Sequence, residues 1–257
     1  MIEWFAQNVL FMPEVDSVHG KEVDALMVYI HWLMIALFIG WTLYFFYVLW
    51  RFGARRNPKA DYEGSKSHLP KGIELGVVLA EAVLLIGIAM PLWARNVELF
   101  PKPEDSTLIQ IMAQQFAWNV RYPGPDGKFG GQDMQLISNE NVFGVDPKDP
   151  LGKDDVQVLN EIHVVVNKPV IIYLSSKDVI HSFKLVAMRL TQDAIPGLRI
   201  PCTFTPTKIG RYQVECAQLC GNGHASMAGG FVIVQSQADF DTWIKSKSAA
   251  PAPTSFE

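Results

Sequence analysis

Between Ala25 and Phe52 apolar and aromatic residues follow one another almost without a break, with only His31 and Arg51 as basic interruptions. The run is longer than the ~20 residues a helix needs to cross a bilayer, so it predicts a transmembrane helix over residues 25–52. A second run predicts another over residues 73–95, with Glu74 at its start and Glu81 inside it. The connection over residues 53–72 is short, which makes the pair a hairpin. After residue 95 the texture changes to brief segments rich in β-branched residues, bounded by Gly, Pro or Asn. Thr107–Met112, Glu161–Val166, Val170–Leu174, Gly210–Val214 and Gly230–Val234 read as strands. They predict a β-sandwich or β-barrel domain over residues 96–247. A Gly, Pro and Asp-rich stretch from Tyr122 to Asp155 reads as turns and an irregular insertion. Ser236 with Asp239 three positions on predicts a capped terminal helix to about Lys247, and the Ala, Pro and Ser-rich residues 248–257 predict a disordered tail.

Charge adds orientation to this outline. The net charge of −4 over 257 residues carries no basic surplus of the kind that nucleic-acid binding requires. Its distribution is uneven. The loop between the spans holds Arg55, Arg56, Lys59, Lys66 and Lys71, with Arg51 at its edge, whereas residues 1–24 carry Glu3, Glu14, Asp16, Glu22 and Asp24 against Lys21. The positive-inside rule therefore puts the loop in the cytoplasm, and residues 1–24 and the β domain on the outer, periplasmic side of a bacterial inner membrane. The opening segment lacks the basic start and short apolar core of a cleavable signal, so the first span is expected to act as an uncleaved export signal. No Cys-x-x-Cys-His haem-attachment motif occurs.

The chemistry concentrates in Cys216-Ala-Gln-Leu-Cys220-Gly-Asn-Gly-His224-Ala-Ser-Met227. Thiolate and thioether sulfur are soft donors that favour copper, and imidazole suits it equally. A single-copper site needs one thiolate and this loop has two, enough for both sulfurs to bridge a pair of coppers if a second imidazole arrives from elsewhere. His181, in Asp178-Val-Ile-His181-Ser-Phe, is the best placed of the six histidines, in a loop position before a strand. A disulfide between the cysteines is the plain alternative for an extracytoplasmic domain, and it accounts for neither histidine nor the methionine. Cys202 stands alone and reads as a buried structural thiol, and His163 as an ordinary polar or interfacial histidine.

The motif Asp178-Val-Ile-His-Ser-Phe183, then Asp193-Ala-Ile-Pro-Gly197, then Gly210-Arg-Tyr212, then the Cys216–Met227 loop, in this order and spacing, resembles subunit II of haem-copper cytochrome c oxidase. The resemblance implies a membrane-anchored all-β architecture, a two-helix transmembrane hairpin followed by a periplasmic cupredoxin-like β-barrel. It further implies two copper ions in the binuclear centre called CuA. The ligands would be His181, Cys216, Cys220, His224, Met227 and the backbone carbonyl of Gln218. Such a subunit takes electrons from cytochrome c and passes them to the haem of subunit I for oxygen reduction, so the implied partners are subunit I and other oxidase subunits, a free or complex-bound cytochrome, and the lipid bilayer.

The departures from the family pattern are specific. Family members usually carry Glu between the cysteines, where it reaches a magnesium ion at the subunit I boundary; Gln218 stands here, and a neutral amide is a poorer ligand for a hard cation. Phe116 replaces the tryptophan that usually receives the electron. Phe116, Trp118 or a neighbour takes that role, or all of them are barrel core. Glu74 aligns with a family carboxylate at the cytoplasmic mouth of a proton path, against the plain reading of an exposed helix-end Glu. Copper-free quinol oxidases lack the ligand set, and nitrous oxide reductase needs a large further domain. A membrane-tethered copper-binding or copper-delivery protein remains the rival from another class.

Overall fold

The computed structural model describes residues 1–59, 62–63, 67–98 and 100–248; the tail expected to be disordered lies outside them, apart from Ser248, which ends a helix. The chain divides into two units. Met1–Met12 with Glu22–Arg95 form the first, and Pro13–Lys21 with the chain from Asn96 onward form the second.

The first unit is helical. A short helix α1 (Ile2–Asn8) precedes α2 (Gly20–Phe52), and α3 (Leu69–Ala82), a π-helical stretch Val83–Ala89 and α4 (Met90–Glu98) run on as one rod. Both Gly20–Phe52 and Leu69–Glu98 are long and apolar enough to cross a membrane. Each starts before its apolar run, because helical hydrogen bonding continues through polar residues that already flank the bilayer. Pro70 in the first turn of α3 loses nothing there, since the N–H it lacks would have no helical acceptor. Phe38, Trp41, Phe45, Phe46 and Trp50 point outward from α2. In water such a surface would aggregate; in a bilayer it is the solvated face. Glu22 and Arg95, near the start of the first span and the end of the second, pair at 3.1 Å.

Among the described residues the second unit holds ten strands: β1 (Thr107–Gln114), β2 (Ala117–Tyr122), β3 (Val156–Leu159), β4 (Glu161–Val165), β5 (Val170–Ser176), β6 (His181–Leu185), β7 (Leu190–Ala194), β8 (Ile200–Phe204), β9 (Gly210–Cys216) and β10 (Gly230–Gln235). They make two five-stranded sheets, ordered β3-β2-β1-β5-β8 and β4-β10-β9-β6-β7. Ladders β1–β5 and β10–β4 are parallel and the other strand pairs are antiparallel. Between the sheets lies one apolar core that includes Ile109, Ile111, Trp118, Val120, Ile172, Leu174, Phe183, Val214, Val232 and Val234. This is the cupredoxin-like arrangement expected. Four of the strands, β2, β3, β7 and β8, were not predicted, and β6 was expected only as the strand that follows His181. In β2 all six residues are buried, so Ala117-Trp-Asn-Val-Arg-Tyr122 shows no alternation of polar and apolar positions. In β7, Thr191 and Asp193 face solvent on a sheet edge.

Three features fasten irregular chain to this core. Residues 13–21 lie along it: Asp16 donates its N–H to Ala187 O at 2.8 Å, Thr207 donates to Asp16 O at 2.8 Å, and the buried Ser17 hydroxyl donates to Met188 O at 2.8 Å. The Tyr212 hydroxyl donates to the Asp16 carboxylate at 2.9 Å. The insertion after β2 contains only short helical turns and one isolated bridge, Gln132 with Val145. Arg121, fully buried, anchors it by donating to Asp155, to Gln110 Oε1 at 3.1 Å and to Gly130 O at 3.0 Å. The terminal helix α5 (Gln237–Ser248) is capped by Ser236, which accepts the Asp239 N–H at 3.2 Å. Its Trp243 stacks on His163 with ring centres 3.9 Å apart, so that histidine is buried under an aromatic lid. Cys202 is buried in the core, which pushes its thiol up to about 12.

Candidate metal centre

Pairing of β6 with β9 is what assembles the site. Phe183 lies opposite Cys216 in the ladder, and Ala217 donates its N–H to Ser182 O at 2.9 Å, so the end of β9 is tied beside the start of β6. His181 is the first residue of β6 and fully buried, not a free loop residue as its sequence context suggested. From Cys216 the chain loops through Cys220 and a 3₁₀ turn (His224–Gly229) back into β10. The Cys216 Sγ lies 3.9 Å from Cys220 Sγ and 4.0 Å from His181 Nδ1, and Cys220 Sγ lies 3.3 Å from His224 Nδ1. His181, Cys216 and Cys220 place one donor atom each within 4.8 Å of one another. The Gln218 carbonyl oxygen is 3.1 Å from Cys216 Sγ, while its side chain is exposed. Met227 is fully buried below the loop.

The separation of the sulfurs decides between a bond and a cleft. A disulfide needs them ~2.05 Å apart, and both cysteines are free. At 3.9 Å both can lie about 2.3 Å, an ordinary metal–thiolate length, from a shared ion. Burial, reinforced by the neighbouring Cys216, pushes the Cys220 thiol up to about 11. A bare site therefore keeps that proton near neutrality, and metal binding must displace it. Soft sulfur pairs with imidazole nitrogen on either flank fit copper in chemical type.

Asp178 is the functional residue that sequence reasoning passed over, although it stands inside the motif that carried the resemblance. Its carboxylate accepts from His181 Nε2 at 3.0 Å, from the Gln115 N–H at 2.7 Å and from the Val179 N–H at 2.7 Å. With Nε2 donating, the Nδ1 lone pair is turned toward the sulfurs. Partial burial works to raise the Asp178 carboxyl, but these three donors outweigh it and hold it below the usual range. A carboxyl side chain three residues before a candidate ligand was the available signal.

The aromatic pair divides. Trp118 is fully buried, donates Nε1–H to Met227 O at 2.9 Å, and meets His181 and Phe183 edge to face at 6.2 and 5.3 Å. Phe116 is only half-buried and covers the Cys220–His224 turn. Glycine is required beneath it. A Cβ on Gly223 would lie 2.4 Å from the Phe116 ring, and one on Gly221, at φ +135°, would lie 2.7 Å from Gln115 Nε2. That amide donates to Cys220 O at 2.6 Å, so Gln115 and Phe116 together hold the turn from outside. Glu74, exposed in α3, is not part of this constellation.

Fold and site together define a membrane-anchored cupredoxin-like domain with a two-cysteine, two-histidine cleft at one end of its sheets. Residues 108–236 match the family model for the cytochrome c oxidase subunit II periplasmic domain. An alternative cytochrome c oxidase subunit 2 from Bradyrhizobium diazoefficiens is 33% identical over 215 residues, covering 83% of this chain and 76% of the relative. The cytochrome c oxidase subunit 2 of Thermostichus vulcanus is 31% identical over 233 residues, and the match spans 86% of this chain but 59% of that protein. Among solved structures, the periplasmic domain of subunit II (CoxB) of Bradyrhizobium japonicum is 28% identical, with 57% of this chain and 95% of that one covered and a TM-score of 0.41. The chain belongs to the cytochrome c oxidase subunit II family, whose members are subunits of the haem-copper oxidase complex.

Proposed function

We propose that the chain is the electron-entry subunit of its oxidase, taking electrons from a cytochrome c at a binuclear copper centre and passing them to the haem of subunit I. The observation that carries this reading is the pair of thiols 3.9 Å apart with imidazole nitrogens at 4.0 and 3.3 Å on opposite flanks. His181, Cys216, Cys220, His224, Met227 and the Gln218 carbonyl are the proposed ligands. A pair of coppers held by these residues would supply a one-electron couple.

The chain's own residues supply rigidity, which lowers the reorganisation that each electron transfer must overcome. His181 is fixed by Asp178 on its far nitrogen and by the Trp118 edge. Cys216 sits on a strand end, and the Cys220–His224 turn is held by Gln115 and Phe116. Such outer support is what keeps ligands in place through a redox cycle. Phe116 is the residue that bridges solvent and turn, which favours it over the buried Trp118 as the entry point for electrons. Magnesium is left out of the proposal because Gln218 offers only a neutral, exposed amide.

The copper domain is assigned to the periplasmic side, with the basic inter-span loop in the cytoplasm. Purification with a haem-bearing partner, followed by stopped-flow reduction by cytochrome c, tests the assignment. Copper reduction that precedes haem reduction supports it. A copper-loaded chain that never co-purifies with haem points instead to a tethered copper-delivery protein.

A further inference from the structure

The second span carries a carboxylate that the copper site does not use. Glu81 lies within roughly 4 Å of the midpoint of the rod Leu69–Glu98, at about 1.5 Å of rise per residue. It is exposed on the surface of the chain, and among the described residues nothing pairs with it. Ionisable residues at that depth are expensive against lipid and occur where they face protein or water, commonly in proton relays.

Two further observations give the carboxylate a context. Glu74 and Glu81 both belong to α3, seven residues and so two helical turns apart, which puts them on one face roughly 10 Å apart along the axis. Two residues beyond Glu81 the hydrogen bonding changes to the π pattern over Val83–Ala89. Such wide turns are uncommon, weaken the regular ladder and recur at functional sites. Pro91, just beyond the stretch, sets it locally, since it has no N–H for the Gly87 carbonyl and its ring crowds that oxygen.

We infer that Glu81 is an intramembrane proton-binding site, covered in the assembled oxidase by a partner subunit and loaded from the aqueous side along the Glu74 face. The inference rests on the oxidase reading above. In the step itself a carboxylate oxygen of Glu81 accepts a proton, forming one O–H bond, and that bond breaks when the proton passes to an acceptor in the covering subunit. No electron moves, and the side chain returns to its starting state.

The test uses the intact oxidase with Glu81→Gln and Glu81→Leu. Redox-difference infrared spectra in water and deuterium oxide, turnover, and the copper centre's paramagnetic signal are recorded on each. Glu81→Gln keeps a hydrogen-bonding group but cannot exchange a proton. It is expected to assemble with an unchanged copper signal, to lose one deuterium-sensitive carboxylic C=O band, and to turn over roughly a hundredfold more slowly, the low end for loss of a positioned acid–base group. Retention of that band, or wild-type turnover, overturns the inference. Failure of Glu81→Leu alone, with Glu81→Gln normal, also overturns it, because the residue would then be an assembly contact. Absence of the copper signal from the wild-type enzyme would overturn the oxidase reading and this one with it, whereas changes confined to the carboxyl band bear on Glu81 alone.

Discussion

Gly223→Ala isolates the contact between Phe116 and the ligand turn. The position has φ −92°, so alanine meets no backbone penalty there and the effect is steric. Its Cβ would sit 2.4 Å from Phe116 Cδ2 and 2.6 Å from Cγ, about 1 Å closer than ordinary van der Waals contact allows. Either the half-buried ring swings outward or the turn carrying Cys220 and His224 moves. Overpacking of this size costs about 1–3 kcal/mol, which for a domain of this size lowers the melting temperature by roughly 2 to 12 °C. Thermal unfolding of the detergent-solubilised chain, followed by near-ultraviolet circular dichroism, measures it. A double-mutant cycle makes the reasoning specific, because in Phe116→Ala the added methyl has nothing to strike. Gly223→Ala should then cost at least 1 kcal/mol less in the Phe116→Ala background than alone, beyond the ~0.3–0.5 kcal/mol scatter of independent sites. Additive effects, or a single variant as stable as wild type, would refute the idea that Phe116 braces the turn.

Three further outcomes follow from other residues. Asp178→Asn should weaken copper binding 10- to 100-fold, the usual effect of losing a carboxylate behind a ligand histidine, as read by competition with a chelator of known affinity. The Asp178 carboxyl is held below its ordinary value of 3.8, so its contribution to stability is complete above that pH and is lost as pH falls through the lower folded value. Acid unfolding of the apo chain should accordingly be steeper in wild type than in Asp178→Asn, and identical profiles would count against the hydrogen bonds assigned here. Arg121→Met leaves the fully buried Asp155 side chain without its partner and should cost ~3–5 kcal/mol in denaturant unfolding, with much of that recovered in Arg121→Met/Asp155→Leu.

Much of this organisation was legible in the chain because it rests on strong periodic or chemical signals. The two spans show as unbroken apolar runs, β1, β4, β5, β9 and β10 as alternating or β-branched segments, and the Ser236 cap as a local motif with its own hydrogen bond. What escaped depends on long-range packing. β2 hides because Asn119 and Arg121 are buried among its apolar residues, where Met112 O satisfies the first and Asp155, Gln110 and Gly130 satisfy the second. The role of residues 13–21 is invisible locally, since their acceptors and donors lie more than 160 positions away, as with Ser17 and Met188, 171 positions apart. Cys216, Cys220 and His224 announce themselves by spacing. His181 was found through its motif, and Asp178 in the same motif was missed because a carboxylate that acts through a histidine carries no ligand signature of its own.

Copper content and the paramagnetic resonance spectrum of the purified, copper-loaded chain bear most directly on the central claim. Two coppers per chain, with one unpaired electron spread equally over both nuclei and lost in Cys216→Ser, is the expected result. A single localised copper, or a Cys216→Ser variant that keeps the delocalised signal, would contradict the two-thiolate centre and the electron-entry role built on it.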